Sequence, residues 1–254
     1  MRNDTLRANP EKFVNAVTNE KETTSIQTYA RIAGLLFLLS IVGGGFGEFY
    51  VPTKLIVAGD ATATANNIVA FNSLFRWGFA GYLLEAVCDI SLAWIMYVLL
   101  RPVQKDIALL AAFFGLVSTA VFAVAELFFF GSTFILGGAD YLKTFSPAQL
   151  NTLGLLSIKF YSYGGMLFLA FYGIATAIRG YLIYRSGYLP KFLGVLLVLA
   201  GLGFIAKNFA GVLAPKFPSD VFMVAMPLAG VAFTFWLLVK GVDVTKFEAK
   251  AATA

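Results

Sequence analysis

Glu85 and Asp89 stand four residues apart in RWGFAGYLLEAVCDISLAW, residues 76–94, and that spacing puts both carboxyl groups on one face of a helix. Gly78, Tyr82, Leu92 and Met96 continue the stripe, whereas Arg76 points nearly the opposite way. At about 1.5 Å of rise per residue, Asp89 lies roughly 20 Å and Glu85 roughly 13 Å along the helix from Arg76. Side chains this short cannot reach lipid headgroups from such a depth. An isolated charge at the centre of a bilayer costs at least about 2.5 to 3.5 kcal/mol, so each acid needs a partner, water or a proton.

Other apolar stretches repeat the pattern. Glu48 follows Gly44, Glu126 follows Gly115 and Thr119, Lys159 adjoins Ser162 and Tyr163, and Lys207, next to Asn208, shares a strip with Ala200, Gly203 and Gly211. Small and polar neighbours mark the faces where helices approach one another, so these charges are expected to point into a bundle. The candidate ligand- or ion-binding residues are therefore Glu48, Arg76, Tyr82, Glu85, Asp89, Glu126, Lys159, Tyr163, Lys207 and Asn208. Four acids then face two buried lysines, with Arg76 at the rim. Complete pairing fails by count, leaving a carboxyl group to carry a proton, water or a bound cation. The competing reading is that the charges pair across helices and fix their register. Equal depths of about 12 to 13 Å predict that Lys207 lies near Glu85, while no basic residue of another span is placed to reach Asp89.

The residue types exclude much else. With no histidine, there is no histidine-ligated haem or zinc and no Ser-His-Asp or Cys-His pair. One cysteine, Cys88, excludes an intrachain disulfide and a multi-cysteine metal site. No metal site and no cofactor is implied. Catalysis would fall to carboxylates, Lys159, Lys207 and tyrosines, which makes an intramembrane enzyme the least favoured class. The glycines of GGGFG and GVLLVLAGLG read as packing faces, not phosphate loops. Pro227 is placed to kink the last apolar segment, and Tyr181, Tyr184 and Tyr188 read as an interfacial belt.

What positions these residues is a set of membrane spans. Charged residues make up 13% of the chain against about 25% in soluble domains. Six segments approach or exceed the roughly 20 residues needed to cross a bilayer: 29–49, 76–100, 107–130, 152–178, 192–213 and 221–239. The fold class is an all-α six-helix transmembrane bundle over residues 29–240, flanked by tails at 1–28 and 241–254. Thirteen of the 19 basic residues fall on one side if both termini are cytoplasmic, the positive-inside arrangement. The formal charge of +5 thus reflects topology and not nucleic-acid binding. Asp60 is placed to cap a short interfacial helix before the second span, Ser146-Pro147-Ala148-Gln149 forms a capping box, and Gly187 and Pro190 end one helix and open the next.

In order along the chain, YARIAGLLFLLSIVGG, KLIVAGDATATANNI, LFRWGFAGYLLEAVCDISLA, LRPV, GADYL and GYLIYRSGYLPKFLGVLLVLAGLG together resemble the bacterial integral membrane family known as domain of unknown function 4386. The resemblance covers roughly residues 29–242, and the block from Gly180 to Gly203 is its most specific part. It implies a bacterial cytoplasmic-membrane protein and brings no activity, substrate or cofactor. It also implies that Glu48, Lys54, Arg76 and Asp89 occupy polar family positions, and that many relatives carry histidine where this chain has Tyr161 and Ala175.

The reading is a bundle with an outward-opening polar cavity that binds or transports a small ligand, cation or lipid-like molecule. Its partners are the bilayer and that ligand, without nucleic acid, and a homo-oligomer is left open. The alternatives are a structural or assembly subunit with internally paired charges, and an enzyme using carboxylates.

Overall fold

The long apolar segments close into a ring in chain order. The computed structural model describes residues 10–253, with side chains from Ile26 onward; the tail reading for residues 1–9, which includes Arg2 and Arg7, lies outside the described residues. Helix α1 (Pro10–Gly44) continues through a π-helical turn (Gly45–Tyr50) into α2 (Val51–Leu55), and α3 (Ala61–Ala70) leads to α4 (Asn72–Leu100). Then come α5 (Lys105–Leu136), α6 (Pro147–Ser186), α7 (Lys191–Leu213), α8 (Ala225–Val239) and α9 (Val244–Ala251), with single 3-10 turns at Asp140–Leu142 and Ser219–Met223. Six stretches are long and apolar enough to span a bilayer, from Ile26–Leu55 to Ser219–Val239, which makes the chain a multi-pass membrane protein. Helices α1, α4, α5, α6, α7 and α8 each pack on their chain neighbours, and α8 packs back on α1.

Glycines set the closeness of that ring. A Cβ on Gly43 would lie 2.9 Å from the Gly81 carbonyl oxygen, and one on Gly81 the same distance from that of Gly43, so α1 and α4 touch through backbone. Between α6 and α7 the same role falls to Gly173, Gly180, Gly194 and Gly201. At one end Gln27 fastens the ring: its Nε2 donates to the Lys240 carbonyl at 2.8 Å, and its Oε1 accepts from Val242 N at 3.0 Å. Gly241 sits between them at φ 66°, in the left-handed region.

The predicted caps are present. Asp60 accepts from Ala63 N, Ser146 and Gln149 form the capping box, and Gly187 is left-handed at φ 78°. The short helix α3 does not simply float at the interface: it packs on α6, with Ile68 buried. Tyr188 departs from the belt reading. It is buried, its hydroxyl donates to the Leu99 carbonyl at 2.6 Å, and its ring meets Phe247 of α9 edge-on at 5.2 Å. Tyr181 and Tyr184 are exposed as expected.

The core has two apolar clusters. One gathers Ala30, Leu92, Ile95, Met96, Leu99, Leu100, Leu182, Ile183, Leu193, Phe233 and Leu237, at the end where Gln27 closes the ring. The other gathers Val51, Phe75, Tyr82, Phe122, Phe129, Ile158 and Phe168, towards the opposite end. Buried polar side chains lie between them.

Candidate functional site

That polar layer is built from four of the six spans. Helix α4 supplies Glu85 and Asp89, both buried on the face read from the sequence. Helix α1 supplies Ser40, whose hydroxyl donates to Asp89 Oδ1 at 3.0 Å, and Gly44, whose missing side chain makes room for the Glu85 carboxyl group. A Cβ on Gly44 would lie 2.6 Å from Glu85 Oε2, an oxygen with no hydrogen-bond partner. Helix α5 supplies Glu126, which is buried with neither carboxylate oxygen partnered. Glu48, half-buried on the π-helical turn, is close enough to act electrostatically on Glu85, Asp89 and Glu126.

The π-helical turn has a local use. Val51 N–H bonds to the Phe46 carbonyl, five residues back, and the Gly47 carbonyl accepts the Tyr82 hydroxyl at 2.8 Å. The Tyr82 oxygen also lies 2.7 Å from that of Tyr161, a position where the family resemblance implies histidine in many relatives. Ala175, the other such position, is fully buried in α6.

The cation of this layer is Arg179, and it corrects two expectations. The expected fourth span ended at Ile178 with Arg179 on the inner surface, and Asp89 was left with no base at its depth. Instead α6 continues to Ser186 and carries Arg179 inward, 6% exposed. Its guanidinium lies over Gly115, where a Cβ would come within 2.6 Å of Nη2. Asp89, Arg179, Gly115, Thr119 and Tyr172 surround a void of about 10 Å³, roughly the volume that one water needs. The three ion pairs among the described residues lie elsewhere, so Asp89 and Arg179 face each other across that gap without direct contact. One signal was available: Tyr172, Thr176 and Arg179, at spacings of four and three, continue a polar stripe past the expected end of the span.

The two lysines do not enter this layer. Lys207 pairs with Asp220 at 2.8 Å, against the expectation that it lies with Glu85; the intervening 3-10 turn at Ser219–Met223 brings Asp220 back to α7. Lys159 is exposed on α6. These two lysines, with Tyr163 and Asn208, line a separate groove of about 450 Å³ between α6, α7 and the 56–59 loop. Asn208 is buried there and donates to the Phe204 carbonyl at 2.7 Å. Arg76 stands apart, bonded through Nε to Asn72 at 2.8 Å with its guanidinium 6.0 Å from the Phe130 ring centre. The ten candidate residues thus separate into an interior layer (Glu48, Tyr82, Glu85, Asp89, Glu126), an open groove (Lys159, Tyr163, Lys207, Asn208) and Arg76. One arginine against four carboxyl groups still leaves acids unpaired by count. Among the described residues no three acids or cysteines are arranged to hold one metal ion.

The sequence profile of the family described as Domain of unknown function (DUF4386) matches residues 32–241. The chain belongs to this family. In this DUF4386 member the matched stretch includes the whole polar layer and the groove, and it stops short of α9. An uncharacterized protein of Archaeoglobus fulgidus is 29% identical over 168 residues, covering 65% of this chain and 84% of that protein. No solved structure matches.

Proposed function

We propose that this protein is of the binding or transport type, and that the groove between α6 and α7 takes a lipid-like molecule with an anionic head. The observation that carries the reading is Lys159, which has no ion-pair partner among the described residues and lines a groove of about 450 Å³ beside Lys207, Tyr163 and Asn208. That volume falls in the range of small-molecule sites. Leu155, Ile158 and Met166 supply apolar wall for a chain, while two ammonium groups supply the complement of a phosphate or carboxylate. Asp220 is almost fully exposed, so opening its pair with Lys207 costs little.

In this reading both termini are cytoplasmic, the groove opens on the outer side, and the protein sits in a cytoplasmic membrane. Moving Arg179 into the bundle leaves 12 of 19 basic residues on the inner side, so the charge bias supports that orientation. A structural-subunit reading is favoured by one observation, the confrontation of Asp89 and Arg179 across a water-sized void, which fits a register-fixing role for that layer alone.

The test compares the protein in nanodiscs of phosphatidylcholine with and without phosphatidylglycerol, using native mass spectrometry to count retained lipid. Retention of phosphatidylglycerol by the wild type and its loss in Lys159→Gln supports the reading. Equal retention of both lipids by both proteins rejects it. Competition by free glycerol phosphate separates recognition of the head from recognition of the whole lipid.

A further inference from the structure

A second groove lies between α4 and α5 and shares no residue with the first. It is about 320 Å³ and opens sideways past Leu83, Val124 and Leu127, all exposed on the outer surface of the bundle. Its walls are apolar and aromatic, with one carboxyl group, Glu126. Glu126 is 5% exposed and neither oxygen has a hydrogen-bond partner. A carboxyl group held this way among apolar side chains is costly unless something supplies donors.

The neighbours do not supply them. The Tyr82 hydroxyl is taken by the Gly47 carbonyl and Tyr161. Arg76, near the same end of α4, is bonded to Asn72 and rests over Phe130, one helical turn along α5 from Glu126, without pairing to it. Lys207 is paired to Asp220 and Lys159 lines the other groove. The groove is therefore walled by Phe79, Tyr82 and Phe122, the last two buried, with the unpartnered Glu126 oxygens just behind that wall, and its lining has no basic side chain. Carboxylate and aromatic faces together are the chemistry that recognises an ammonium group. The apolar walls and the lateral opening select a ligand that arrives from the bilayer.

We infer that this lateral groove is a binding site for a lipophilic cation, its ammonium head on the Glu126 carboxylate and its chain along Leu83, Ala123 and Leu127. The occupant is an amphiphilic amine and not a neutral acyl chain, because a neutral chain would leave both Glu126 oxygens without donors.

The test uses the full-length protein in phosphatidylcholine nanodiscs with three probes of one chain length: dodecylamine, dodecanol and dodecanoate. Saturable binding is read by native mass spectrometry and by the shift of the thermal midpoint. Dodecylamine is expected to bind and stabilise, with the other two at least about tenfold weaker. Glu126→Gln should weaken dodecylamine by a similar factor while leaving dodecanol unchanged. Ala123→Trp fills the groove from its exposed rim while keeping the Glu126 carboxyl group in the chain, and should abolish dodecylamine binding in a folded protein. That arm decides the matter if Glu126→Gln fails to fold. Absence of saturable dodecylamine binding, equal binding of dodecanol, or unchanged binding in Ala123→Trp each overturns the inference. Retention of phosphatidylglycerol in the α6–α7 groove is measured separately, so either site can fail without the other.

Discussion

Removing Arg179 tests whether the polar layer depends on a charge that spans a gap. The perturbation is Arg179→Met, which keeps an unbranched apolar stem of comparable reach and deletes the guanidinium. Asp89 then keeps the Ser40 hydroxyl and loses the cation it faces across the water-sized void. At an effective dielectric of about 20, two unit charges held just beyond ion-pair distance attract by up to about 4 kcal/mol, which bounds the loss. That agrees with the roughly 3 to 5 kcal/mol expected for stranding one member of a buried pair. Asp89→Asn should cost a similar amount by stranding Arg179, and the double variant should recover about 2 kcal/mol of the summed losses. Arg179→Lys should recover only part, because an ammonium lacks the planar fork that lies over Gly115. Reversible unfolding by sodium dodecyl sulfate in mixed micelles, followed by tryptophan fluorescence, gives all four stabilities. Losses that add within about 0.5 kcal/mol would show that the two residues act independently and refute the reasoning.

Gly201→Ala places a Cβ 2.5 Å from Ala177 N and 2.6 Å from the Gly173 carbonyl, so α6 and α7 must separate; a loss of about 1 to 3 kcal/mol is expected in the same unfolding assay. Charge reversal at Glu85 and Lys207 should give additive losses of folded yield, since Lys207 pairs with Asp220. Asp243 caps α9, and its ion pair and backbone bond with Lys246 hold its carboxyl group below the usual range. A depressed folded value contributes stability above the unfolded carboxylate value and loses it as pH falls through the folded one. Amide exchange across Val244–Ala251 should therefore rise on acidification through that interval, and Asp243→Ala should remove the dependence. Cysteines at Lys143 and Lys216, both exposed, should label from outside intact cells, and one at Arg185 should not; the reverse pattern would invert the orientation.

The spans, the caps and the faces of α4 were legible because each depends on near neighbours. Glu85 and Asp89 share a face by helical periodicity alone, and Ser146, Gln149 and Gly187 act within a turn of themselves. The partner of Asp89 was not legible in the same way. Arg179 follows a run of apolar residues, and a basic residue there reads as the end of a span; only the stripe from Tyr172 through Thr176 argues for its turning inward. Lys207 was misplaced for a related reason. Depth along a helix gives height in the membrane but not direction around the ring, and the 3-10 turn that carries Asp220 back has no strong sequence signature. The amphipathic α9 escaped because eight residues past the last span carry too little apolar surface to stand out, although Phe247 packs on Tyr188.

The ring order bears on how the chain is made. Ser40, Asp89, Gly115 and Arg179 sit on α1, α4, α5 and α6, which leave the ribosome before α7 and α8. A nascent chain holding the first four spans therefore already contains every residue that lines the void beside the buried arginine. The last two spans add the seam between α1 and α8, where Gly34 meets Leu238 and Gln27 fastens Lys240 and Val242. Assembly is divided accordingly: the charge is sheltered during insertion, and the seam that makes the bundle a ring closes only once synthesis is nearly finished.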